Sequence, residues 1–119
     1  MSGPTVYQYP KCSTCRRALA YLDSKGVQYE SLDIVQQPPS KTQLAAAVKQ
    51  SGLPIKRFFN TSGQSYRDGR FAERLPEMSD SQALDALAAD GKLIKRPLLV
   101  GTGFVLVGFD DAAYRARFG

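Results

Sequence analysis

Residues 5–22 read TVYQYPKCSTCRRALAYL, and the order of residue types in this stretch decides the fold. Thr5 to Tyr9 is rich in β-formers and runs into Pro10, which ends a short strand and delivers the chain into a loop. From Ser13 onward Ala18, Leu19 and Leu22 recur at helical spacing, and Gly26 is placed to end that helix after Lys25. Cys12 therefore lies at a helix N-terminus, where free backbone N–H groups and the helix dipole favour a thiolate. Lys11, Arg16 and Arg17 add positive charge in the same direction. Cys12 is the candidate nucleophile, and Cys15, about one helical turn on, is the candidate resolving thiol.

Outward from this motif, Val27 to Val35 suits a second strand that closes a β-α-β unit, and a right-handed crossover makes the two strands parallel. Ser40 with Gln43 forms a capping box that opens a helix through Leu44, Ala47 and Val48, and Gly52 is placed as its C-cap. Pro54 starts another turn or two over Ile55 to Phe59, followed by the turn formers Asn60 to Gly63. Polar residues cluster there without apolar periodicity, and Ser79 and Gln82 repeat the capping box. Leu84, Leu87 and Ala88 give that helix its inward face before Asp90 and Gly91 stop it. Leu98 to Val100 and Phe104 to Val107 read as an antiparallel hairpin across Gly101, Thr102 and Gly103. Asp110 or Asp111 caps a final helix through Tyr114 to Phe118. The expected class is α/β: a thioredoxin-like fold with a mixed four-stranded sheet and an inserted helical subdomain, as one domain over residues 1–119.

Composition narrows the chemistry. The chain has 119 residues, 43% of them hydrophobic and 23% charged, as a packed single core requires. Its apolar runs are far shorter than a bilayer span, so no membrane association is expected, and the N-terminus lacks the pattern of a secretory signal, so a cytoplasmic location is. The formal charge is +5, but acids are interspersed among the bases, which argues against direct nucleic-acid binding. With two cysteines and no histidine the usual zinc ligand set cannot be assembled, short of a site shared between two copies, and no metal is expected. The lack of histidine also removes the common general base of serine and cysteine hydrolases. Thiol–disulfide exchange is what these exclusions leave.

Four landmarks together carry a family resemblance: YxxPKCSTCRRA from Tyr7, FFNTSGQSYR from Phe58, LIKRP from Leu93 and VGF from Val107. Over about Val6 to Phe109 the chain resembles the arsenate reductase family in its broad sense, which includes the Spx and MgsR regulators. The resemblance implies that Cys12 is the redox nucleophile and that Arg96 is the arginine beside it. It also implies that Pro97 is the cis-proline that shapes the wall facing Cys12. The residues that would bind substrate are Lys11, Ser13 and Thr14 in the loop, together with Pro97. The strict reductases carry further arginines where this chain has Asn60 and Gly108. Arg67 and Arg57 would replace the missing charge, and Asn60, Thr61 and Ser62 would supply hydrogen-bond donors.

Two functions follow from that resemblance. One is a reductase of a small oxyanion or disulfide, with no bound cofactor and with glutathione, glutaredoxin or thioredoxin as the external reductant. The other is a redox-switched regulator of the Spx and MgsR type, the branch that carries C-x-x-C. Spx regulators bind the RNA polymerase α subunit through a region that contains a glycine, and Gly52 lies about there.

Overall fold

The computed structural model describes residues 3–119. Strand β1 (Thr5–Gln8) is followed by helix α1 (Ser13–Ser24) and strand β2 (Glu30–Asp33). Next come α2 (Lys41–Ser51), α3 (Gln64–Asp68), α4 (Phe71–Arg74) and α5 (Asp80–Ala89), with short 3-10 turns at Ile55–Phe58, Leu75–Glu77 and Gly91–Leu93. The hairpin β3 (Leu98–Gly101) and β4 (Phe104–Val107) and helix α6 (Asp111–Phe118) complete the order. The four strands form one mixed sheet in the order β2-β1-β3-β4. β1 pairs parallel with β2 and antiparallel with β3, which pairs antiparallel with β4. This is the expected thioredoxin-like α/β layout, and between β2 and β3 the chain forms only helical elements and one isolated bridge.

Alternation along the strands sends neighbours to opposite faces of the sheet. Val6 and Leu99 pack with Ala18 and Leu22 of α1 and Tyr114 of α6. Tyr7 and Leu98 face the other way, into a larger cluster with Ile34, Leu44 of α2, Leu87 of α5 and the aromatic residues Phe58, Phe59, Tyr66 and Phe71. No helix among the described residues is long and apolar enough to cross a membrane.

Both capping boxes form: Ser40 and Ser79 accept from the N–H groups of Gln43 and Gln82, whose side chains reach back to the cap N–H groups. Gly52 ends α2 in the left-handed region, at φ 70°, which accounts for a glycine there. Asp110 caps α6 by accepting from Ala112 N–H at 3.3 Å.

The loop at residues 60–63 forms as expected, and two helices follow that no spacing announces. α3 and α4 form because Tyr66 and Phe71 anchor them against Phe59, at ring separations of 6.4 and 5.7 Å. Such one-turn helices are too short to show a period. On α5 the deepest residues are Ala83 and Leu87, with Leu84 and Ala88 only half-buried, because the small Ala83 side chain lets the helix approach closely. Gly101 belongs to β3, and the turn is Thr102-Gly103 alone, with Gly103 at φ 83°.

Candidate thiol site

β1 ends at Gln8, and the following turn is closed by Cys12 N–H donating to Tyr9 C=O at 3.0 Å. Cys12 is the N-cap of α1, and its Sγ accepts the Cys15 backbone N–H at 3.4 Å. The sulfur thus occupies the position that a serine or aspartate oxygen fills in an ordinary cap, facing the unsatisfied end of the helix. Cys15 falls with Ala18 and Leu22 on the buried stripe of α1, so it is fully enclosed while Cys12 is half-exposed. Both thiols are free.

Their acidities are driven apart. Partial burial pushes the Cys12 thiol up, but hydrogen bonds from the Cys15 side chain and N–H, and then the Arg96 guanidinium, outweigh it and hold the thiol below its ordinary value. At Cys15 burial dominates. Relief from the Tyr9 N–H is offset by the Cys12 charge beside it, and the thiol is pushed up to about 12.

Arg96 reaches this position from the far end of the chain. Phe59 bridges Ile94, Asn60 N–H donates to Leu93 C=O at 2.8 Å, and Lys95 N–H donates to Phe58 C=O at 2.8 Å. These contacts lay residues 58–60 alongside 93–95. The Arg96–Pro97 peptide is cis, and Pro97 C=O accepts from Gly108 N–H at 2.9 Å. The Arg96 guanidinium lies over the Tyr9 ring, 5.0 Å from its centroid, and its buried Nε has no hydrogen-bond partner. A guanidinium fixed beside a thiol favours its thiolate and offers further planar donors to an anion that reaches the sulfur.

An open cavity of about 610 Å³ surrounds Cys12. Of the residues singled out in the sequence as binding or catalytic, Thr14, Arg57, Asn60, Ser62 and Arg96 line it with Cys12. Pro97 is buried behind Arg96. Lys11 and Ser13 are exposed outside the lining, as is Arg67, which donates to Ser62 C=O at 3.0 Å. Of the cations expected to act on Cys12, only Arg17 reaches the cavity; Arg16 turns back to donate to Pro10 C=O at 3.1 Å. The charge that acts on the sulfur is Arg96. Lys95 also lines the cavity. Its only sequence signal is that it forms a basic pair with Arg96 just before an apolar strand.

Comparison with known proteins agrees with this arrangement. The model of the ArsC family matches residues 7–117. The chain is 48% identical to uncharacterized protein YusI of Bacillus subtilis over 96% of its own length and 97% of that protein's. It is 29% identical to an arsenate reductase of Rhizobium meliloti, over 81% and 67% of the two chains, and 23% identical to regulatory protein MgsR of Bacillus subtilis, over 89% and 82%. The crystal structure of a protein from Bacteroides fragilis assigned as ArsC family related superposes with a TM-score of 0.92 at 41% identity, covering 95% of each chain. With the thiol pair, the Arg-Pro element and the sheet all in place, the chain belongs to the ArsC family.

Proposed function

We propose that the protein is a thiol-dependent oxidoreductase that reduces a small oxyanion or disulfide, with Cys12 as nucleophile, Cys15 as resolving thiol and Arg96 as the anion-stabilising residue. The observation that carries this reading is the split between two thiols one helical turn apart: an acidified sulfur opening on a cationic cavity above a buried, protonated one.

The Cys12 thiolate attacks the oxidised atom of the substrate and displaces a thiolate from a disulfide, or, with protons from solvent, water from an oxyanion, to give a covalent adduct, while Arg96 stabilises the negative charge that develops on the substrate. Adduct formation removes the Cys12 charge, one of the influences that hold Cys15 protonated. Cys15 then loses its proton to the departing group and attacks the Cys12 sulfur. The internal disulfide closes, and the reduced group leaves with the two electrons given up by the dithiol. Glutathione, glutaredoxin or thioredoxin returns those electrons in the cytoplasm, a compartment that keeps thiols reduced.

The test is turnover of arsenate and of hydroxyethyl disulfide by the purified protein with glutathione plus glutaredoxin, or with thioredoxin and its reductase. Cys12-dependent turnover of either substrate is expected. Inactivity in every combination removes the reading.

A second reading is favoured by the similarity to MgsR. Here the Cys12–Cys15 disulfide remodels the surface around α1 and switches docking to the RNA polymerase α subunit. Capture of purified α subunit by immobilised protein in one redox state is the expected result, and failure in both states eliminates it.

A further inference from the structure

The Cys12 cavity does not end at the sulfur. It shares Arg57, Lys95 and Val107 with an adjoining cavity of about 420 Å³ that is also lined by Lys56 and Thr61, so the two form one groove. None of Lys56, Arg57, Lys95 and Arg96 takes part in an ion pair among the described residues. The one acid on the groove wall, Asp110, has its carboxylate engaged in capping α6. Lys95 is seated by Gly108, which adopts φ 74°; a Cβ at that position would stand 3.1 Å from Lys95 Cε. Of these cations only Arg96 acts on the Cys12 sulfur. Arg57 and Lys95 line the Cys12 cavity where it meets the adjoining one, and Lys56 lines only the latter, so the cationic surface extends past the sulfur. Unpaired cations gathered in a concave site concentrate anions there.

We propose that this groove binds a low-molecular-weight disulfide that carries its own carboxylates, and that Arg57 and Lys95 are the specificity-determining residues that hold those carboxylates while Cys12 attacks the sulfur. The inference rests on the thiol chemistry proposed above. In the first step the Cys12 thiolate forms a bond to one sulfur of the disulfide and one thiolate leaves. In the second, Cys15 attacks the Cys12 sulfur, the internal disulfide forms, and the second thiol leaves with the Cys15 proton. Two electrons pass from the dithiol to the bound disulfide.

The experiment compares the rates at which glutathione disulfide, which bears carboxylates and a net negative charge, and neutral hydroxyethyl disulfide oxidise the reduced protein. Intact mass spectrometry follows both reactions, in the wild type and in the Arg57→Gln, Lys95→Gln double variant. Circular dichroism verifies that the variant folds. The wild type is expected to favour glutathione disulfide, and loss of two exposed charges is expected to lower that ratio about tenfold. Rising ionic strength should lower the wild-type ratio in the same sense. A ratio that stays within about twofold in the variant and across salt overturns the groove assignment and leaves the Cys12 chemistry standing. Absence of reaction with both disulfides overturns the thiol chemistry itself, and the groove assignment with it.

Discussion

The two faces of the sheet bury different things. Beneath α2 and α5, Tyr7 and Leu98 meet Ile34, Leu44, Leu87 and an aromatic group, and this large cluster is built almost wholly from hydrocarbon. Beneath α1 and α6 the cluster is smaller, and next to it sit a buried thiol, Cys15, and a tyrosine hydroxyl, Tyr114 Oη, that has no hydrogen-bond partner. Burying polar groups in this way contributes less to stability than the same area of hydrocarbon. The face that carries the chemistry is therefore not the face that holds the fold together, and variants should separate the two.

The largest separation is expected at Cys12 and Leu44. Cys12→Ser should reduce turnover to background and shift denaturant stability by less than about 0.5 kcal/mol, because the hydroxyl can take over the cap. Leu44→Ala should cost about 2–5 kcal/mol in urea unfolding and leave the pH midpoint of Cys12 alkylation where it was. A matching loss of acidity at Cys12 would break the separation. Arg96→Gln comes next. It removes the one cation that acts on the sulfur, so the Cys12 thiol should titrate higher in a thiolate-absorbance titration, with the alkylation rate near neutrality down about tenfold.

Stability against pH sharpens the contrast within a single face. Cys12 is more acidic folded than unfolded, so its contribution is fully present above the free thiol value of about 8.5 and is lost as pH falls through its lowered folded value. Cys15 is less acidic folded, so its contribution is fully present below about 8.5 and is lost as pH climbs toward about 12. Reduced protein should therefore gain stability up to about pH 8.5 and lose it beyond. In Cys15→Ala the loss between about pH 8.5 and 9, below the range where tyrosines ionise, should disappear from urea melts. The smallest effect is expected for Tyr114→Phe. Deleting a buried hydroxyl that has no partner should leave stability unchanged or raise it by up to about 1 kcal/mol.

Legibility in the sequence follows the range of the forces involved. The strand, the cysteine loop, α1, both capping boxes and the hairpin are written in neighbouring residues, and each was readable from β-propensity, helical spacing or a cap pair. The helices around Tyr66 and Phe71 were not, because what orders them is aromatic contact with Phe59. The site divides the same way. Cys12 as N-cap and Cys15 on the buried stripe are local facts. The expectation that Lys11 and Arg16 tune the sulfur failed because proximity in sequence does not set side-chain direction. Arg96 was reached through family resemblance, and Lys95 escaped notice, because both depend on the pairing of residues 58–60 with 93–95 across the fold.

The central position of β1 has a consequence for how the site comes into being. β1 pairs on one side with residues 30–33 and on the other with residues 98–100. During synthesis the β1–α1–β2 unit can form early, but the second pairing closes a loop of most of the chain, a step slowed by its entropy. Arg96 and the Asp110 cap arrive with that late closure. A nascent chain on the ribosome thus holds Cys12 with its α1 hydrogen bonds but without Arg96, and the full division of the two thiols into a reactive and a silent partner is among the last properties the molecule acquires.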